Sequence, residues 1–405
     1  MIIVKFLTIK SLNMRYIIFV LMSFLAMSSM TACQKADNER SPLFHDGKKP
    51  LPVTGLKVEN VEGGAIITYK VPNDPSILYI QADYKINDKL QRQEKVSYFS
   101  DTIFVSGFAK EAEYKVTLYS VSSGEIKSEP VELVVKPMKP PYRSIASTLN
   151  IQATFSGVNV TCQNQTQAEV GVVVLVDTTG RAQTVYTEYT KMIPINFNVR
   201  GFPPKPYKVG AYVIDKWGNL SDTVWTTVTP LYETLLNRNI MTNAQLPKDM
   251  NSLYGASKTL EQVLALSGAT ASFYGGFGNM TTIYLGKAAK LSRFKFYQTT
   301  DGGLYNFVNL KTFEMWSSMA PGPTGALDDG TWTKLGSYEI IKPSGKVLGQ
   351  NTQMDIDAAN AGHSFDFPNP VVKAKYIRIV SFDVWNLPNA NRLRIGTIYF
   401  WGDSN

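Results

Sequence analysis

The chain has 405 residues, 44% of them hydrophobic and 12% aromatic, a formal net charge of +8, and only two cysteines and two histidines. That length is too great for one hydrophobic core and implies several domains, while two cysteines cannot build a disulfide framework and two histidines cannot build a histidine-rich metal site. Lysine and arginine are scattered without a block of five or more, which fits solvated strand faces and argues against nucleic acid as a partner.

At the N-terminus, Lys5, Lys10 and Arg15 precede an apolar run over residues 16–27, followed by Ser28, Ser29, Thr31 and Ala32 and then Cys33. A basic flank, a short apolar stretch and a small-residue cleavage site predict a signal peptide over residues 1–32, with Met14 as an alternative start. The run is shorter than the roughly 20 residues that span a bilayer. A cysteine directly after Ala32 resembles the lipobox of bacterial lipoproteins, with Met30 where leucine is usual. The resemblance implies that Cys33 is acylated and becomes the mature N-terminus, an anchor in the outer membrane. Gln34-Lys35-Ala36-Asp37-Asn38-Glu39 resembles the short charged signal that sends Bacteroidetes lipoproteins to the cell surface. Residues 33–52 are polar and carry Pro42, Pro50 and Pro52, so they read as a flexible tether. No later apolar run approaches membrane length, which makes the lipid the expected anchor. With Cys33 acylated, Cys162 has no disulfide partner.

Residues 53–137 read as all-β. Ala65, Ile67, Tyr69 and Val71 alternate with Ile66, Thr68 and Lys70, and residues 80–86 alternate likewise. Period-two patterning with Pro, Gly and Asn-Asp punctuation predicts short antiparallel strands. Val105-Ser106-Gly107-Phe108, Glu113-Tyr114-Lys115-Val116 and residues 124–137 resemble the closing half of a fibronectin type III domain. That resemblance implies that the Tyr114 hydroxyl bonds back to the backbone as a corner tyrosine and that Tyr69 stands for the usual core Trp. The register returns 93 positions on. Gly64-Ala65-Ile66-Ile67-Thr68-Tyr69 aligns with Gly157-Val158-Asn159-Val160-Thr161-Cys162, Tyr114 with Tyr207, Tyr119 with Tyr212, Ser128 with Ser221 and Pro137 with Pro230. Residues 138–232 are therefore expected to form a second sandwich, with Cys162 as a buried thiol in place of Tyr69. Asp215-Lys216-Trp217-Gly218-Asn219 reads as a turn plug over a sheet end. Asp101-Thr102-Ile103, Asp177-Thr178-Thr179 and Asp222-Thr223-Val224 match the three-residue O-glycosylation motif known in Bacteroidetes. Both sandwiches are expected to act as spacers.

Residues 233–405 change character, with longer strands and glycine-rich loops. Strands are predicted over 260–266, 280–285, 291–298, 312–317, 332–341, 363–367, 375–384 and 393–401. Eight antiparallel strands with such loops fit a jelly roll. Thr281-Thr282-Ile283-Tyr284-Leu285-Gly286, Leu291-Ser292-Arg293-Phe294-Lys295-Phe296, Asp329-Gly330-Thr331-Trp332-Thr333-Lys334-Leu335-Gly336, Ala374-Lys375-Tyr376-Ile377-Arg378-Ile379 and Ile398-Tyr399-Phe400-Trp401-Gly402 resemble the factor 5/8 type C (discoidin, galactose-binding-like) domain. A Bacteroidetes variant is closer still, through Lys342-Pro343-Ser344-Gly345, Asn351-Thr352, Asp355 and Gly362-His363-Ser364-Phe365-Asp366-Phe367-Pro368. Surface lipoproteins with this variant after two sandwich modules accompany the paired importers of polysaccharide-utilisation systems. The fold class expected for the chain is all-β throughout.

Strand parity puts loops 267–279, 299–311, 342–362 and 385–392 at the end opposite the termini, where discoidin-type lectin domains bind. Sugars are held by an aromatic face on their C–H groups and by planar polar groups on their hydroxyls. These loops offer Tyr274, Phe277, Tyr305 and Trp385 as candidate aromatic contacts, with Asp301, Asn386 and Arg392 for hydroxyls. Trp332, Trp401 and Phe296 are assigned to the core. Related lectin domains hold a structural calcium through an early acidic turn, but Leu264-Ala265-Leu266-Ser267-Gly268 offers no carboxylate, so no cofactor is expected. His45 and His363 leave little for a nucleophilic triad, and no carboxylate pair suggests glycoside hydrolysis. The resulting expectation is a non-catalytic surface lipoprotein that binds poly- or oligosaccharide through its C-terminal domain beside an importer complex. The alternative is an adhesin or assembly protein that contacts host or envelope proteins.

Overall fold

A computed structural model describes residues 47–178, 180–250, 252–367, 372–386 and 391–405. The predicted signal peptide, Cys33 and most of the tether lie outside the described residues, as do Thr179, Pro368 and Asn389. The described chain is all-β and falls into two compact units that divide after Pro141.

The first unit holds one sandwich. Its strands are β1 (Thr54–Val61), β2 (Gly64–Lys70), β3 (Ile77–Lys85), β4 (Gln91–Ser97), β5 (Thr102–Ser106), β6 (Tyr114–Ser122) and β7 (Val131–Val135). They form a three-stranded sheet, β1-β2-β5, and a four-stranded one, β4-β3-β6-β7. Alternation decides what each strand buries: Ala65, Ile67 and Tyr69 from one sheet face Ile80, Ala82, Tyr84, Val116 and Leu118 from the other. Tyr114 Oη accepts from Lys110 N and donates to Lys110 O, both at 3.2 Å, so the corner tyrosine closes as expected.

The helix Pro141–Ala146 begins at the division, buries Tyr142, Ile145 and Ala146, and leads the second unit into a second sandwich. Here β8 (Asn150–Thr154), β9 (Gly157–Cys162), β10 (Val170–Asp177), β11 (Ala182–Thr190), β12 (Ile195–Arg200), β13 (Tyr207–Asp215) and β14 (Val224–Val228) give the sheets β12-β9-β8 and β11-β10-β13-β14. This repeats the first strand order. The pairs β2/β9, β6/β13 and β7/β14 keep the 93-residue register. β3 and β10 are one residue closer, because Ile80 pairs with Ser120 and Val172 with Val213. Cys162 is 1% exposed in the core, and burial pushes its thiol up to about 11.

The remainder is a two-sheet jelly roll. β15 (Thr234–Leu235), β16 (Thr242–Asn243), β17 (Ser252–Leu253), β18 (Tyr274–Phe277), β19 (Met280–Tyr297), β20 (Leu310–Ser318), β21 (Thr333–Glu339), β22 (His363–Asp366), β23 (Lys373–Val384), β24 (Arg392–Ile395) and β25 (Thr397–Asp403) follow in order. The larger sheet runs β15-β25-β19-β23-β20-β21 with β16 and β22 also on β19, and the smaller is β17-β18-β24. Between them lies a core that includes Phe294, Phe296, Phe313, Ile377, Ile379, Leu393, Ile395 and Phe400.

Three sequence expectations are corrected here. Residues 260–264 are a helix, Leu260–Leu264, started by a capping box in which Thr259 accepts from Gln262 N and the Gln262 side chain reaches back to Thr259 N. The strands expected over 280–285 and 291–298 are one strand, β19, with a register break between Tyr284 and Ala289. Segment 393–401 is two strands in different sheets, joined at Gly396, where a Cβ would lie 2.6 Å from Tyr297 O.

Sandwich and jelly roll meet at Glu233. Its carboxylate, nearly buried, accepts from Arg200 Nη1 at 3.1 Å, from Arg293 Nη2 at 3.0 Å and from the Ser292 hydroxyl. Arg200 also reaches Asp366 Oδ1 at 2.6 Å and Phe155 O at 2.7 Å. An ion cluster of this kind fixes orientation, because removing one member strands the others.

Candidate functional site

β25 sets the polarity of the jelly roll. Its Gly402 end pairs with Thr234, where the chain enters, and its Thr397 end pairs with Tyr297, where loop 299–311 begins. The four loops are in mutual contact at that second end. Thr300 N donates to Thr270 O, Asn386 N to Phe307 O, Gly278 N to Asn391 O, and Asn351 Nδ2 to Leu304 O.

The motif residues of 342–362 build one wall. Asp355 is wholly buried and accepts from Ser344 N and Oγ and from Thr352 N and Oγ1 at 2.7–3.0 Å. Burial raises its carboxyl, but these hydrogen bonds outweigh that and hold it well below the usual range. Thr352 caps the helix Gln353–Ala361, and Gly362 ends it at φ +80. Lys342 Nζ donates to Val347 O and Gln350 O. This motif is scaffolding.

Arg394, on β24, organises the centre. Its guanidinium donates to Asp301 Oδ2 at 2.7 Å and lies 3.9 Å from the Phe273 ring, 4.9 Å from Phe307 and 5.6 Å from Tyr254. Burial lowers its pKa, and Asp301 opposes that shift. Tyr254 in turn meets Phe277 edge-on at 5.1 Å, and the Arg392 guanidinium lies 5.5 Å over the Phe277 ring.

The expected contacts divide. Phe277 is half exposed on the surface, Asp301 keeps an exposed carboxylate beside Arg394, Asn386 is exposed, and Arg392 is half-buried at the rim. Trp385 is partly buried: its ring meets Tyr305 edge-on at 5.2 Å and Lys311 at 5.5 Å, and its buried indole Nε1 has no partner among the described residues. Two assignments are corrected. Tyr274 is in the core, where its hydroxyl contacts Asn243 Nδ2 and Thr281 Oγ1, and Tyr305 is fully buried between His363 and Trp385, its phenol pushed up to about 12 by burial. Neither can offer a face to a ligand. Trp401, assigned to the core, is only half-buried, with Arg293 4.3 Å over its ring. The sequence reading missed Phe307, exposed at 42% on a positive-φ turn, and Arg394 as organiser. The signal for Phe307 was Gly302, whose missing Cβ would touch it at 3.0 Å.

Among the described residues no group of three or more His, Cys, Asp or Glu side chains is placed to hold a metal ion. His363 lies 3.0 Å from Gln298 Nε2, and burial lowers it to about 4, so it stays neutral near pH 7. No helix among those residues is long and apolar enough to cross a membrane.

Three family models match the chain, each described as a domain of unknown function: DUF4959 over residues 50–137, DUF5126 over 138–239 and DUF5000 over 258–402. No curated protein matches. Among solved structures, the chain is similar to SusE-like protein BT2857, at 28% identity over 66% of this chain and 100% of that one, with a TM-score of 0.44. It is also similar to the family 32 carbohydrate-binding module from C. perfringens NanJ in complex with galactose (15% identity, 42% and 98% of the two chains, TM-score 0.28). A two-domain fibronectin type III segment of chicken tenascin matches at 14% identity over 44% and 99%, with a TM-score of 0.22. All three TM-scores lie below 0.5, and the chemistry of the site has to be read from its own residues.

Proposed function

We propose that this protein is a non-catalytic surface lipoprotein, anchored in the outer membrane through Cys33, that binds glycan at the loop end of its C-terminal domain in support of polysaccharide uptake. One observation carries the reading: Phe307 stands exposed 4.9 Å from the Arg394 guanidinium that pairs with Asp301, and Phe277 stands exposed against Tyr254, which Arg394 also meets, with Arg392 and Asn386 beside them. Exposed rings give the apolar faces that sugar C–H groups stack on, and the carboxylate, amide and guanidinium suit vicinal hydroxyls. Arg394 is held by stacking and an ion pair before any ligand arrives, so little is lost in ordering it. A surface anchor beside an importer would make such binding useful by raising local glycan concentration.

The test is affinity electrophoresis in gels cast with individual polysaccharides, comparing the chain from residue 34 with its Phe277→Ala/Phe307→Ala variant. Retardation by one polysaccharide class, weakened at least tenfold in the variant, is the expected result. Absence of retardation in every gel overturns the reading and favours a protein partner. Metabolic labelling with palmitate, lost on Cys33→Ala, checks the anchor.

A further inference from the structure

A second polar surface faces the jelly roll from the sandwich before it. On sheet β12-β9-β8, Gln152 pairs with Asn159 and Asn159 with Asn198, while Asn196 pairs with Thr161 one row along. Across from these amides lie Gly336, Tyr338 and Asp366, and the space between is a cleft of about 780 Å³. The Glu233 cluster, with Arg200 bound to Asp366, fixes the two walls relative to each other.

The three asparagine amides are tied into one network. Asn159 Nδ2 donates to Asn196 Oδ1 at 2.7 Å, Asn198 Oδ1 at 3.0 Å and Phe197 O at 3.2 Å, and Asn198 Nδ2 donates to Asp366 Oδ2 at 2.7 Å. Among the described residues this leaves Asn159 Oδ1, Asn196 Nδ2 and the whole Gln152 amide without a hydrogen-bond partner. Tyr338 lines the opposite wall with the hydroxyl end of its ring, the rest of which packs on Phe294, Phe313 and Phe365; a Cβ on Gly336 would lie 2.9 Å from that hydroxyl. The corresponding row of the first sandwich reads Glu59, Ile66 and Phe104, paired in the same register, so the fold does not require amides there.

We infer that this cleft is a second ligand site, independent of the loop end, and that its ligand is a neutral saccharide lying across the strands. Each primary amide offers a donor and an acceptor in one plane, which matches a pair of neighbouring hydroxyls. Amides on adjacent strands repeat at about 4.8 Å, close enough together to engage neighbouring hydroxyls of one bound sugar chain. The one carboxylate in the wall, Asp366, is already committed to Arg200 and Asn198, so the site carries no free charge to recruit an anion or cation. A cleft at a domain boundary with a few convergent polar groups is a common place for small ligands.

The experiment uses the chain from residue 34 and gels containing soluble neutral polysaccharides of gluco, galacto, manno and xylo configuration. Four proteins run side by side: wild type, Gln152→Ala/Asn196→Ala, Phe277→Ala/Phe307→Ala, and all four changes together. Gln152 and Asn196 are exposed, and a thermal melt within a degree of wild type confirms that the fold is intact. The inference expects the cleft variant to lose at least fivefold in affinity and the loop-end variant to keep residual retardation that the quadruple variant loses. A cleft variant that runs as wild type overturns the inference; if the loop-end variant then shows no retardation, the loop-end reading stands alone. Retardation lost in the cleft variant and unchanged in the loop-end variant upholds the cleft and overturns the loop end. A wild type that no polysaccharide retards overturns both.

Discussion

The two sandwiches share strand order, sheet pairing and most of a register, yet their four-stranded sheets meet solvent with opposite chemistry. In the first, Asp83 accepts from Gln81 and Gln93 at 2.9 Å and from Lys127 at 3.0 Å, while Lys95 and Glu125 hold the Tyr79 hydroxyl. By strand pairing, Val173 and Leu175 stand where Gln81 and Asp83 stand, Gly210 replaces Thr117, and Trp225 replaces Glu132. The glycines there are seats for rings: a Cβ on Gly171 would lie 2.9 Å from Tyr189, and one on Gly210 would lie 2.8 Å from Trp225. Inner rows fix the fold and are matched in both copies. Outer rows are free to diverge: both copies keep tyrosines there, Tyr79 and Tyr119 in the first and Tyr212 in the second, but only the second adds Val173, Leu175 and Trp225 and so presents the more apolar row.

The largest difference between the copies is expected at two equivalent glycines. A Cβ on Gly157 would fall 1.9 Å from Val199 O, against 2.7 Å from Val105 O for Gly64. Gly157→Ala should therefore destabilise its unit by about 3 kcal/mol or more, and Gly64→Ala by about 1 kcal/mol. All six tryptophans lie after residue 141, so fluorescence in a urea titration reports the second unit and circular dichroism is needed for the first. Equal losses would mean that the two backbones do not approach as closely as described.

The next contrast is in pH. Unfolded, the Cys162 thiol ionises near its ordinary value of 9, whereas in the core it holds its proton up to about 11. The unfolded state then binds fewer protons between pH 9 and 11, so stability is full below pH 9 and falls by about 2 kcal/mol across that window. Cys162→Ala should flatten this dependence between pH 9 and 10 in a urea midpoint series, above which the buried Tyr305 phenol of the same unit adds its own decline. Tyr69, at the equivalent position, is also raised by burial, but from an ordinary value of 10, so the first unit should begin its decline about one pH unit later. Smallest is the exchange of outer rows. Trp225→Glu removes a ring that Lys208 covers at 5.0 Å and should cost about 1 kcal/mol, while Glu132→Trp should stay within about 0.5 kcal/mol.

Legibility in the sequence followed the same division between inside and outside. Period-two alternation exposed the strands of both sandwiches, and the 93-residue register disclosed their kinship, because burial on one face writes itself into residue type. Segment 260–266 was misread as a strand because Leu260, Val263 and Leu264 look alike under either period, although Thr259 and Gln262 announced a helix start. Gly396 hid a change of sheet inside what read as one strand. At the loop end, residue type showed that aromatics were present but not which way they point: Tyr305 and Phe307 sit two apart on one turn, both with positive φ, and only the second reaches solvent. Glycine-hinged loops have no period to read. Arg394 was invisible for a related reason, since its role depends on Asp301, Phe273 and Phe307 arriving from three separate segments.

Glu233 also has a mechanical consequence. A ligand pulled away at the loop end would load β25 along its length, towards the Thr234–Gly402 pairing where the chain leaves for the sandwich. The carboxylate one residue before that pairing grips Arg200 on one domain and Arg293 on the other, so tension meets a clamp before it meets a hinge. Under drag, sandwich and jelly roll should move as one stiff lever, and the chain's compliance should lie elsewhere.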